Sequence, residues 1–293
     1  MTIRTRPLTK TQTVERQVTT NDKQRVLDRI FGLWERYAPW YKSSFRSVSY
    51  YKAFCDATEK AFIPGSGGKV LDAGCGDGGL WTRLMRTLCP EKIVGLDYAP
   101  AMLKAAEKTK SRLQNKYKIY GWLNRRLWTR WLTRFISEWR FYGCEIELVR
   151  ADLCQGISYP DNTFDTVVCQ LVAYYLPFKA WEYTVSREVF RVTKPGGYIV
   201  ATDATRPFNF RKEIAGFAAF KEVITHPWGM IWSGLVARPV LVQFQDLANK
   251  GVLDYLSEEE RKATLETAGY KNPEICGRAL KDLFIVTRTS KPK

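Results

Sequence analysis

Histidine is almost absent from this chain of 293 residues: His226 is the single one. The seven cysteines, at 55, 75, 89, 144, 154, 169 and 276, are odd in number, and no two stand in a Cys-x-x-Cys pair. These absences argue against a structural zinc site, which needs clustered sulfur and nitrogen ligands, and against a disulfide framework. The thiols read instead as small hydrophobes in a reducing, cytoplasmic compartment, and no metal is expected. No apolar run reaches the ~20 residues that span a bilayer. Residues 1–22 are rich in Thr and Arg and lack the apolar centre of a secretory signal, which predicts a flexible basic tail. No internal repeat or low-complexity tract breaks the rest.

What is present in quantity is positive charge. Forty-six Lys and Arg against 30 Asp and Glu give a formal net charge of +16, which attracts anionic surfaces, nucleic acid or acidic lipid, and says nothing about fold. Hydrophobic residues at 45% and charged residues at 26% fit a globular protein with a full core. Aromatics are plentiful at 14%, with ten tryptophans to be placed.

The most informative stretch is Lys69-Val70-Leu71-Asp72-Ala73-Gly74-Cys75-Gly76-Asp77-Gly78-Gly79. It reads as a short buried strand that ends on an acid, breaks into a glycine turn and opens a helix near Leu80. Glycine lets backbone turn tightly and approach a ligand closely. A Gly-x-Gly-x-x-Gly spacing alone would also fit a dinucleotide. Asp72, two residues before the first glycine, would repel a pyrophosphate and hold an ammonium or sulfonium group. A second apolar run, Ile93-Val94-Gly95-Leu96-Asp97, ends on another acid 25 residues later, where doubly wound folds place a ribose-binding carboxylate. Tyr98 and Met102 follow as candidates for the face under a purine.

The Val-Leu-Asp-Ala-Gly-Cys-Gly-Asp-Gly segment resembles motif I of the Rossmann-like, class I S-adenosylmethionine-dependent methyltransferases, in particular the branch that methylates quinones and other small molecules. Asp97-Tyr98-Ala99-Pro100-Ala101-Met102-Leu103 is similar to the stretch that follows strand two in that family, with alanine where serine is commoner. Phe164-Asp165-Thr166-Val167 resembles its fourth strand, and Lys194-Pro195-Gly196-Gly197 its approach to strand five. The resemblance covers 69–110, 145–203 and 257–288. It implies an α/β fold: a doubly wound, mostly parallel seven-stranded sheet with an antiparallel end strand, plus helical insertions forming a cap. It implies S-adenosyl-L-methionine as cofactor, held by Asp72, Gly74, Gly76, Asp97, Tyr98 and Met102. Asp152 and Leu153 would meet the adenine, and Gln170 would border the methionine end.

The resemblance leaves three additions to a methyltransferase domain spanning 23–293. An N-terminal cap, 23–63, begins with Val26, Ile30, Phe31, Trp34 and Tyr37 at helical spacing. Its Tyr37 and Tyr41 look like the lid tyrosines of small-molecule methyltransferases. An insertion at 113–143 carries Leu127, Trp128, Trp131, Leu132, Phe135, Ile136 and Trp139 on one helical face and five arginines on the other. That pattern fits an anionic membrane interface through 121–142, or packing on the same domain, or, less well, RNA. A third insertion, 204–255, is rich in Phe and Trp, sits where relatives cover their substrate, and contains His226, the obvious candidate base. No Asn/Asp-Pro-Pro-Tyr/Phe follows the fourth strand, which disfavours methylation of base amines. The expected partner is therefore a lipophilic small molecule, with peripheral membrane contact. The alternative is an RNA or protein methyltransferase using the basic surface, or a cofactor-binding protein without turnover. The sequence does not fix an oligomeric state.

Overall fold

The computed structural model describes residues 20–42, 49–125, 144–177, 179–205, 238–253, 255–279 and 282–293, with Trp228, Ile231 and Leu235. Seven strands form one sheet: β1 Lys69–Ala73, β2 Lys92–Asp97, β3 Glu145–Arg150, β4 Phe164–Gln170, β5 Thr193–Ala204, β6 Lys271–Ala279 and β7 Phe284–Ser290. Their spatial order is β3-β2-β1-β4-β5-β7-β6. The five strands from β3 to β5 run parallel. β7 is antiparallel to both β5 and β6, so the reversed strand lies one place in from the edge.

Period-two alternation sends neighbouring strand residues to opposite faces, and both faces are covered. Val70, Ile93, Ile146, Val168 and Val200 pack on one side with Phe54, Trp81, Leu84 and Leu88. Those come from α2 (Ser49–Lys60) and α3 (Trp81–Leu88). Leu71, Val94, Val167, Cys169 and Ile199 pack on the other with Val185, Val189, Val192 and Leu265. Here the helical cover is a π-turn, Trp181–Val185, running into α5 (Ser186–Val192), and a later helix, Glu258–Ala268. That later helix starts with a capping box, in which Ser257 Oγ accepts from Glu260 N–H and the Glu260 carboxylate accepts from Ser257 N–H.

α1 (Thr20–Tyr41) lies outside these layers. Its apolar stripe, Ile30, Leu33, Trp34 and Tyr37, packs against Val240, Phe244 and Leu247 of α6 (Arg238–Asn249). The helix Glu258–Ala268 is accordingly α7. The first part of the expected insertion, 113–125, continues α4, which runs unbroken from Pro100 to Arg125. No proline stands in its way, and one interior glycine, Gly121, costs a helix only about 1 kcal/mol. The arginine-and-tryptophan face of 126–143 lies outside the described residues.

Candidate functional site

The cavity opens at the carboxyl ends of four adjacent strands, where the sheet order reverses between β1 and β4. Each strand contributes the turn that follows it. From β1 come Gly74 and Gly76; from β2, Asp97, Tyr98 and Met102; from β3, Asp152 and Leu153; from β4, Gln170. α1 closes the mouth with Leu27, Ile30, Trp34, Tyr37 and Tyr41. Ten residues singled out from the sequence therefore meet around one space.

Asp72 does not line the cavity. Its side chain is 2% exposed and accepts a hydrogen bond from Trp81 Nε1 at 2.9 Å. Glycines make room for that indole: a Cβ on Gly78 would meet the Trp81 ring at 2.6 Å, and one on Gly95 at 3.0 Å. Burial pushes the Asp72 acid up to about 7, against the pull of the indole N–H, with a further push from the Asp97 charge. His226 lies outside the described residues.

The glycine turn is shaped for a ligand but not for an anion. Gly74 and Gly76 have φ of +78° and +54°, which side-chain-bearing residues rarely adopt. A Cβ on Gly74 would strike Val172 Cγ2 at 2.4 Å, whereas one on Gly76 would meet nothing within 4 Å. The Gly76 backbone is thus bare towards the cavity. The N–H groups of Gly74 and Cys75 both donate to Leu96 O, Gly76 N–H to Asp97 Oδ2, and Gly78 N–H to Cys75 O. With these donors taken, the turn offers little to a pyrophosphate.

Asp97 is fixed at both oxygens, by Gly76 N–H at 2.8 Å and Ala99 N–H at 2.9 Å. Burial raises its acid to about 6, opposed by those backbone bonds. Each carboxylate oxygen keeps a further lone pair for a ligand hydroxyl. Asp152 Oδ1 accepts from Cys154 N–H at 2.9 Å, and the carboxylate also meets the Cys154 thiol, with lone pairs left over for a ligand donor. The Tyr98 ring is held edge-on by Phe31, with the Arg150 guanidinium 5.8 Å from its centre. A bare glycine backbone and carboxylates at two strand tips suit a nucleoside with a cationic tail.

On the α1 side the lining is aromatic and neutral. Trp34 meets Tyr175 edge-on at 4.8 Å and Phe244 at 5.5 Å, and Tyr37 meets Tyr41 at 5.5 Å. Burial drives the Tyr41 phenol well above its ordinary value, and Asp77 and three neighbouring tyrosines add to it. Tyr41 therefore stays protonated, able to donate a hydrogen bond and unsuited to act as a base. The Cys154 thiol, raised to about 12 by burial and by Asp152, is equally inert. Sequence reasoning passed over Tyr175, Leu176 and Pro177 as lining residues. Val172-Ala173-Tyr174-Tyr175-Leu176 carries no periodicity of its own, and only the tertiary fold turns it inward.

The methyltransferase-domain family profile matches residues 71–201, from β1 into β5. The chain carries a methyltransferase domain of the class I, S-adenosylmethionine-dependent kind. Among curated proteins this methyltransferase is 26% identical over 252 residues to demethylmenaquinone methyltransferase of Bacillus licheniformis, covering 83% of the chain and 89% of the relative. It is 27% identical to the Lactiplantibacillus plantarum enzyme of the same name, covering 62% of the chain and 65% of that relative. With the sterol 24-C-methyltransferase of Yarrowia lipolytica it shares 31% identity, over 60% of the chain and 42% of the relative. A solved S-adenosylmethionine-dependent methyltransferase from Thermotoga maritima shares the fold, with a TM-score of 0.52 at 15% identity, covering 89% of this chain and 99% of that one. S-adenosylmethionine is the cofactor of the family. It supplies a methyl group on a positively charged sulfur.

Proposed function

We propose that this methyltransferase acts on a lipophilic, ring-bearing small molecule of the quinol or sterol type, drawn from a membrane surface. The observation that carries this reading is the wall opposite the strand tips. Leu27, Ile30, Trp34, Tyr37, Tyr41, Tyr175, Leu176 and Pro177 bear no charge among them. Such a wall rewards burial of an apolar ring at about 25 cal/mol per Å² and penalises a phosphate or a charged peptide. The names of the relatives, demethylmenaquinone and sterol methyltransferases, point the same way.

In this reading Asp97 accepts from the ribose hydroxyls, Asp152 accepts from the adenine amino group, and Met102 and Tyr98 flank the purine. Tyr37 and Tyr41 orient the acceptor and help to exclude water. Because the sulfonium is already activated, positioning and dryness are the main demands on the protein. Membrane contact is supported by Trp228, Ile231 and Leu235, exposed at 73, 48 and 67% and spaced as one face of a helix. Among the described residues no helix is long and apolar enough to cross a bilayer.

The test is transfer of labelled methyl from S-adenosylmethionine into three acceptors: reduced demethylmenaquinone in anionic vesicles, total tRNA, and a mixed protein extract. Incorporation into the vesicle fraction supports the proposal. Label confined to tRNA or protein overturns it.

A further inference from the structure

Gln170 ends β4 and lines the cavity. The parallel register that pairs Asp72 with Val168 sets it level with Gly74. Its amide is not free to turn. Gln170 Nε2 donates to Thr58 Oγ1 at 3.1 Å, and the same hydroxyl donates to Phe54 O at 2.8 Å. Thr58 also lies 2.8 Å from Thr202 Oγ1, and both threonines are wholly buried.

Proton counting decides the orientation. Thr58 has one hydroxyl proton, and the Phe54 carbonyl can only accept, so the proton goes there. Towards Gln170 and Thr202 the Thr58 oxygen must then accept. This obliges Gln170 to present its NH₂ to Thr58 and leaves its carbonyl oxygen without a strong donor, at a residue that lines the cavity. The Cys55 sulfur lies 3.6 Å from Gln170 Nε2 and 3.9 Å from that oxygen, a weak partner to either end that leaves the oxygen acceptor capacity over. Near Gly74 the expected carboxylate is missing, since Asp72 is turned away to Trp81.

We infer that Thr58 is a positioning residue that locks the Gln170 amide so that its carbonyl oxygen receives the ammonium group at the amino-acid end of the methyl donor. The inference rests on the methyltransferase reading and deepens it. The arrangement couples α2, which touches no ligand through Thr58, to the cofactor end of the cavity. Removing the hydroxyl leaves a buried amide free to flip its NH₂ towards a cation.

Calorimetric titration of Thr58→Val, Thr58→Ser and Gln170→Leu with two ligands tests it. S-adenosylhomocysteine carries the amino-acid end; 5′-methylthioadenosine lacks it. Thr58→Val and Gln170→Leu are expected to weaken S-adenosylhomocysteine about tenfold, the scale of a lost bond to a charged group. Both should leave 5′-methylthioadenosine within about twofold. Thr58→Ser is expected to bind both as the wild type does. Equal weakening of the two ligands, or an undiminished affinity for S-adenosylhomocysteine in either deletion variant, overturns the inference. If Thr58→Val does not fold, Gln170→Leu carries the test alone. Failure of the wild-type protein to bind either ligand is distinguishable from these, since it overturns the methyltransferase reading itself and this inference with it.

Discussion

At the scale of single residues, the site depends on which groups are kept away from it. Asp72 is buried with one neutral donor, and its acid is raised to about 7. The unfolded chain releases that proton at about 4. Ionisation therefore weakens the fold as pH rises between the two values, and the loss is complete above the higher one. Asp72→Asn has no such window. Its thermal midpoint relative to the wild type should climb from pH 4 to pH 7 and run parallel beyond, as melting curves across that range will show. The glycines separate in the same way. Gly74→Ala forces a methyl into Val172 and should lower the melting point severely. Gly76→Ala meets no protein atom, so its cost is the strain of a positive φ, about 1–2 kcal/mol. It should nonetheless cut S-adenosylhomocysteine affinity at least tenfold, because the methyl enters ligand space. Measuring stability and binding on both variants distinguishes the two roles.

At the scale of elements, the lid helix is also a cap. α4 begins at Pro100, preceded by Ala99, which has no side-chain acceptor for the first turn. Glu35 of α1 supplies one from outside, its Oε1 accepting from Ala101 N–H at 3.0 Å. Glu35→Ala should therefore cost about 1 kcal/mol. The loss should register as faster hydrogen exchange at Ala101 and in α1 together, rather than in the sheet. Much of this level was open to inspection in the chain itself. The strand-to-helix turns after β1 and β2 are local signals, and the stripe Ile30, Trp34, Tyr37 declared the inner face of α1. What stayed hidden was non-local. That Trp81 takes Asp72 depends on two glycines 17 residues apart, and that Glu35 caps α4 depends on how two distant helices cross. The continuity of α4 across 113 was hidden too: nothing in the run stops the helix, so its end cannot be read from local signals.

At the scale of the whole molecule, α7 is tied to β5 by a buried ion pair. Arg261 of α7 donates to Asp203 Oδ2 at 2.8 Å, with the side chains 1% and 0% exposed. Asp203 Oδ1 accepts from Ala173 N–H, beside the cavity wall. Removing one partner strands a charge in the core, so Arg261→Met should cost about 3–5 kcal/mol in urea unfolding. It should also loosen the turn after β4, measurable as faster exchange at Ala173. α7, which does not line the cavity, thereby helps to shape its wall. Neither residue announces this by spacing, since 58 positions separate them.

The placement of β7 has a consequence for how such a chain is made. It comes later in sequence than every strand it joins, yet it sits between β5 and β6. During synthesis the cavity-lining tips of β1 to β4 can assemble while β5 still shows an unsatisfied flank to solvent or to a chaperone. A nascent chain halted before residue 284 should already recognise adenosine and at the same time be prone to clump along that open flank.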